Sequence, residues 1–167
     1  HDVGIDQASG NVFVGDYELH TLRSYTSEGT LQFEIGGLGR APGFFNGVWG
    51  ISTDSEGSVY VADTFNRRVQ KFDRDGNFIM EWEGFGASRF EKPTGIFVDS
   101  ADTIYVCDSK RQTVSLFDTE GTPIQDWYLQ DILGAETEPE DIVLDSDLDH
   151  LYIAEVLGHR VYHLRMP

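Results

Sequence analysis

One pattern of short apolar runs and turn residues occurs four times along this chain, and that recurrence limits the fold more than any other feature. Its fullest copy is Val48 to Trp82, with apolar runs at Trp49–Thr53, Val59–Ala62, Val69–Phe72 and Phe78–Trp82. The breaks between runs are Asp54-Ser55-Glu56-Gly57, Thr64-Phe65-Asn66-Arg67 and Asp73-Arg74-Asp75-Gly76-Asn77. Val, Ile, Tyr and Phe suit a pleated, half-buried surface, and Asp, Asn and Gly supply the backbone angles of tight turns. The copy therefore reads as a four-stranded antiparallel meander.

Equivalent positions Val3, Ile51, Ile96 and Ile142 are 48, 45 and 46 residues apart. Val59-Tyr60-Val61-Ala62-Asp63 answers to Ile104-Tyr105-Val106-Cys107-Asp108, Leu151-Tyr152-Ile153-Ala154-Glu155 and Val12-Phe13-Val14-Gly15-Asp16. Four strands per repeat at this period is the sequence signature of propeller blades. A lone meander cannot bury both faces, so neighbouring copies must stack. The predicted fold class is all-β, a β-propeller of four-stranded antiparallel blades. The predicted blades are 1–47, 48–92, 93–139 and an incomplete 140–167, forming one domain or part of one. In this alignment Trp49 and the series Tyr60, Tyr105 and Tyr152 are expected to be heavily buried.

The wording of the repeat resembles the NHL family. The resemblance lies in PTGIFVD followed by IYVCD, in VYVADTFNRRVQKFDRDGNF, and in the Gly-rich connector GGLGRAPGFFNGVWGI. It spans nearly the whole chain and is weaker across 129–140. It implies an NHL-type propeller, most often six-bladed. Fifteen strands are counted here, so the expectation is that further blades in a longer polypeptide, or self-association of several chains, complete the ring.

Composition is that of an ordinary globular domain, with 40% hydrophobic and 13% aromatic residues in 167. No apolar run approaches membrane-spanning length. The single Cys107 excludes an internal disulfide and reads as a small buried residue. The acidic balance and the absence of a cysteine framework suit a secreted, extracellular or periplasmic protein, with the cytoplasm nearly as consistent.

Net charge is −17, which repels nucleic acid and anionic membranes in bulk, so neither is an expected partner. The charge is unevenly placed. Turns between first and second strands and between third and fourth strands share one face of a propeller, and here they carry most of the aspartates. The opposite loop face collects Arg40, Arg67, Arg68, Arg89, Lys92, Lys110, Arg111 and Arg160. From these loops Tyr17, Phe65, Arg67, Arg68, Lys110, Arg111 and Arg160 are the candidate partner-binding residues.

Candidate chemistry is sparse. Asp145-Ser146-Asp147-Leu148-Asp149 alternates carboxylates as a calcium loop does, but His150 stands where the turn glycine belongs and Val156 replaces the final Glu. No cofactor is expected, with calcium the alternative. His20 and His159 share the slot before the third strand with Arg67 and Gln112, where hydrogen bonding of the turn is the expected role. His1, Trp49, Thr94 and Glu140 share the slot that opens the first strand. They should converge at the mouth of the central channel and bind a small polar ligand there. The amidating lyases, which share this propeller, place zinc-binding histidines in that slot; only His1 matches here, and one histidine cannot make a catalytic zinc site.

The expected function is therefore a non-catalytic ligand- or protein-binding module acting through the loop face and channel mouth, with no catalytic residue set. A metal-dependent propeller enzyme of amidating-lyase, lactonase or phytase type is the alternative, and an RNA-binding NHL domain a second.

Overall fold

The computed structural model describes residues 2–145 and 150–165. Three four-stranded antiparallel sheets and one three-stranded sheet follow the chain in simple up-and-down order. The first comprises β1 (Val3–Ile5), β2 (Val12–Asp16), β3 (Thr21–Tyr25) and β4 (Leu31–Gly36). The second comprises β5 (Val48–Thr53), β6 (Val59–Asp63), β7 (Arg68–Phe72) and β8 (Phe78–Trp82).

Further elements follow the second and third sheets. A two-stranded ribbon, β9 (Gly84–Phe85) with β10 (Ser88–Arg89), follows the second sheet. The third sheet holds β11 (Pro93–Val98), β12 (Ile104–Asp108), β13 (Thr113–Phe117) and β14 (Pro123–Tyr128). It is followed by a single-turn helix, α1 (Leu129–Leu133), closed by Gly134 in the left-handed region. The last sheet holds β15 (Pro139–Leu144), β16 (His150–Glu155) and β17 (Arg160–Arg165).

Every interface between successive sheets has its own apolar core. Phe13, Leu22, Phe45, Val48, Ile51, Val59, Val61 and Phe72 fill the first. Tyr60, Val69, Trp82, Phe90, Ile96, Ile104, Val106 and Phe117 lie in the second. Cys107, Val114, Leu129, Ile142, Leu151 and Ile153 belong to the third, where burial pushes the Cys107 thiol pKa well up and keeps it protonated.

The turns repeat as strictly as the strands. Asp54, Asp73, Asp99 and Asp118 each accept two backbone N–H groups from the following four residues. Turn chemistry thus accounts for much of the acidic face. The slot before each third strand has a different requirement. His20, Arg67, Gln112 and His159 all have φ between 50° and 58°, a conformation that non-glycine residues seldom adopt.

Tyr60 and Tyr105 are buried, at 0% and 5% exposure, and their hydroxyls donate to Asp54 and Asp99. Tyr152 and Trp49 differ from the expectation, since both are only half-buried. The Tyr152 ring stacks on His163 at 4.8 Å on the surface of the last sheet.

Candidate ligand-recognition site

A bulge at the start of each of three first strands builds the mouth. Register shifts fall between Val48 and Ile51, between Pro93 and Ile96, and between Pro139 and Asp141. Such extra residues re-aim side chains, and Trp49, Thr94 and Glu140 occupy these bulges. The first strands approach closely there. A Cβ on Gly50 would lie 2.5 Å from the Thr94 carbonyl oxygen, and one on Gly95 would lie 2.6 Å from the Asp141 Cα.

The bulges treat their side chains differently. Trp49 and Glu140 line a pocket of about 450 Å³ together with Asp2, Gly50, Gly95, Asp141 and Val156. Thr94 does not reach it: the residue is fully buried and its hydroxyl donates to the Pro139 carbonyl at 2.8 Å. Thr94 is therefore a blade-to-blade tie rather than a mouth ligand. His1 lies outside the described residues, as do Asp147 and Asp149 of the carboxylate-rich turn. Among the described residues no group of three His, Cys, Asp or Glu is placed to hold a metal ion.

The mouth continues onto the loop face. Tyr17, from the loop after β2, meets Trp49 edge-on at 5.4 Å between ring centroids. It also meets Phe65 at 6.1 Å. The Lys92 Nζ lies 4.8 Å from the Trp49 ring centroid and 3.4 Å from Glu140 Oε1. Asp141 opens onto the channel yet is crowded by protein. Desolvation raises its pKa, and repulsion from Asp2 and Glu140 adds to that. Asp2 in turn accepts the Ile51 backbone N–H at 2.7 Å.

The arginines of the loop face divide into two groups. Arg67 is exposed, as is Lys110. Arg160 is half-exposed and pairs with Glu155. Arg68 is not available to a partner. It is 1% exposed, and its guanidinium donates to Asp63, to Glu81 and to the carbonyls of Arg40, Ala41 and Phe44. Arg111 is likewise committed, paired at 2.7 Å with Asp126 and with a side chain only 9% exposed. Each satisfies a carboxylate on the fourth strand of its blade, Glu81 for Arg68 and Asp126 for Arg111, and Arg68 also caps carbonyls of the connector.

His20 Nδ1 accepts the Gly47 N–H at 2.9 Å, and Gln112 Oε1 accepts the Thr137 N–H at 3.3 Å. In these two repeats the slot thus holds the chain just before the next first strand rather than bonding its own turn. Sequence reasoning missed Asp2, Asp141 and Lys92 as mouth residues. The repeat alignment carried the signal, since Asp2 and Asp141 share a slot with Gly50 and Gly95, and Lys92 lies two residues before Thr94.

Stacked meanders with a core at every interface, first strands side by side, and bulges opening on a common channel define a β-propeller. Residues 45–72 match the NHL repeat family, so the copy that carries Trp49, Phe65 and Arg68 is an NHL repeat within a propeller segment. Within the sequence, 33 residues are 61% identical to lin-41 of Caenorhabditis elegans, covering 20% of this chain and 3% of that protein. Among solved structures, a gluconolactonase from Xanthomonas campestris superposes with a TM-score of 0.78 at 14% identity, over 100% of this chain and 58% of that one. Virginiamycin B lyase from Staphylococcus aureus superposes with a TM-score of 0.72 at 15% identity, over 99% of this chain and 55% of that one. At such identities the likeness is one of fold. The chain spans just over half the length of these solved relatives.

Proposed function

We propose that this propeller segment is a recognition module that binds a small polar ligand or a protein segment at the channel mouth and the adjoining loop face, and releases it unchanged. One observation carries this reading: the aromatic run Phe65–Tyr17–Trp49 joins the loop face to the mouth pocket and ends beside the Lys92–Glu140 pair. Amphipathic rings with a few fixed polar groups are what ligand pockets use for contact area and orientation. Arg67 and Lys110 extend the surface around it, whereas Arg68 and Arg111 serve the scaffold.

The enzyme reading draws on the superposition with a lyase and a gluconolactonase, and it makes a different prediction. In the chain carrying 15N only in its tryptophans, Trp49, Trp82 and Trp127 should give three indole signals, the first to be assigned with Trp49→Phe. A panel of neutral saccharides and small polar compounds should shift the Trp49 signal and return chemically intact. Turnover of a lactone or of virginiamycin B, together with a melting temperature raised by divalent ions, would overturn the module in favour of the enzyme.

A further inference from the structure

Lys92 sits in the mouth as a ligand would. Its ammonium lies over the Trp49 ring and beside Glu140, at 4.8 Å and 3.4 Å, while its side chain retains 25% exposure. The backbone beneath it is fixed: the Lys92 N–H donates to Asp108 Oδ1 at 3.0 Å, and its carbonyl accepts the Ser109 N–H at 3.0 Å. Only the flexible four-carbon stem connects that anchored backbone to the ammonium. The side chain can therefore leave the ring for solvent without any movement of the fold.

The charges around it are unbalanced. Asp2, Glu140 and Asp141 all line the pocket, whereas Lys92 stands at its edge and brings a single ammonium to Glu140 alone. The Trp49 ring adds the negative face of an aromatic quadrupole, the best natural surface for a cation. A ring donates no ligand atom to a metal ion but binds a weakly hydrated organic cation well. At about 450 Å³ the pocket is within the range of small-molecule sites.

We infer that the mouth pocket is a receptor for a small organic cation, an alkylammonium or quaternary ammonium group, and that Lys92, whose ammonium already holds the Trp49 and Glu140 side chains at the pocket's edge, competes for them and is displaced when the ligand enters. The inference rests on the mouth being a binding site and adds the chemical class of what binds. It also gives Lys92 a regulatory part, since an occupant that competes with ligand lowers apparent affinity by the fraction of time it holds the site.

Tetramethylammonium chloride tests this, titrated into the 15N-tryptophan chain, with sodium chloride as the ionic control and tert-butanol as the neutral control of similar shape. The expected result is a saturable shift of the Trp49 indole with tetramethylammonium alone. Glu140→Gln should weaken it about tenfold, the equivalent of about 1.4 kcal/mol. The decisive variant is Lys92→Met, which removes the competing ammonium from Trp49 and Glu140 and makes the pocket more negative. It should tighten binding by at least about threefold, while Lys92→Arg, which retains a cation, should not. Unchanged or weaker binding in a well-dispersed Lys92→Met spectrum would overturn the inference, as would equal shifts with tert-butanol. If neutral saccharides shift Trp49 and the cation does not, the module stands and the cation assignment falls.

Discussion

The second and third blades solve one problem in two ways. Each must hold the connector that enters it, and each places a carboxylate at the same point of its fourth strand, Glu81 opposite Gln70 and Asp126 opposite Ser115. In the second blade Arg68 satisfies that carboxylate from the third strand. From the same buried position it braces Asp63 and three carbonyls of the 40–44 connector. Gln70 and Asn66 add bonds to Phe44 and Gly39. In the third blade Thr113 holds the slot of Arg68, and Arg111, from the slot of Asn66, reaches Asp126 instead. Asp108 then takes the backbone N–H groups of Glu91 and Lys92 directly. The first blade uses yet another slot, pairing Arg23 with Glu34 and Asp16 near the surface. The carboxylate is fixed by the repeat, whereas the arginine is free to migrate around it.

Three truncations break that comparison at different depths. Arg68→Ala leaves Asp63 buried without its cation and strips donors from three carbonyls, so it should cost about 3–5 kcal/mol. Arg111→Ala removes one largely buried pair and leaves Asp108 fully bonded, and should cost about 1–3 kcal/mol. Arg23→Ala, whose partners are a quarter to a half exposed, should cost about 0–1 kcal/mol. Urea unfolding of the three variants checks the order. Equal losses would mean that the arginines are interchangeable surface pairs and that burial of Arg68 has no energetic meaning.

The shared core gives a second graded pair. Tyr105→Ala should cost about 3 kcal/mol through lost packing. Tyr105→Phe, which loses only the hydroxyl bond to Asp99, should cost about 1–2 kcal/mol. A loss under about 0.5 kcal/mol for the alanine variant, typical of surface positions, would sink the blade alignment.

What was legible in the sequence follows from how local each feature is. Strand order and turn identity were readable because alternation and Asp-Gly turns act within a few residues, and the NHL wording sharpened them. Tyr60 and Tyr105 follow from the same periodicity. Arg68 and Arg111 were misplaced on the accessible face because their partners lie far along the chain: Arg68 bonds Arg40 and Phe44 across 28 and 24 residues. Thr94 was misplaced for a related reason. A bulge decides whether a side chain enters the mouth or ties to the next blade, and nothing local distinguishes Thr94 from Trp49 in that respect. The meeting of Tyr17, Trp49 and Lys92 likewise joins residues far apart along the chain, Trp49 lying 32 residues after Tyr17 and 43 before Lys92.

The smallest effect concerns a slot that varies between glycine and aspartate among the blades. Gly50 and Gly95 occupy it in the second and third blades, and Asp141 in the fourth. Desolvation raises the Asp141 pKa, so the folded state binds its proton more tightly than the unfolded chain does. Stability then falls as pH rises through the interval from the unfolded value, about 3.9, to the raised folded one, and it stays lower above that interval. Asp73 is the opposite case. Burial alone would raise its pKa, but bonds from the Asn77 side chain and from backbone N–H groups outweigh it and hold the carboxyl below the usual range. Its contribution is present above about pH 3.9 and is lost as pH falls through the depressed value. Asp141→Asn should therefore stabilise slightly at pH 7, by less than about 0.5 kcal/mol because the group opens onto solvent. That gain should vanish below about pH 3.5, where the carboxyl is protonated in both states. Asp73→Asn should destabilise at pH 7 and become neutral in acid. Unfolding curves of both variants at pH 7 and pH 3 read the two signs directly. A gain for Asp73→Asn, or a loss for Asp141→Asn, would show that the carboxylates of the turn face and the channel are not held in opposite ways.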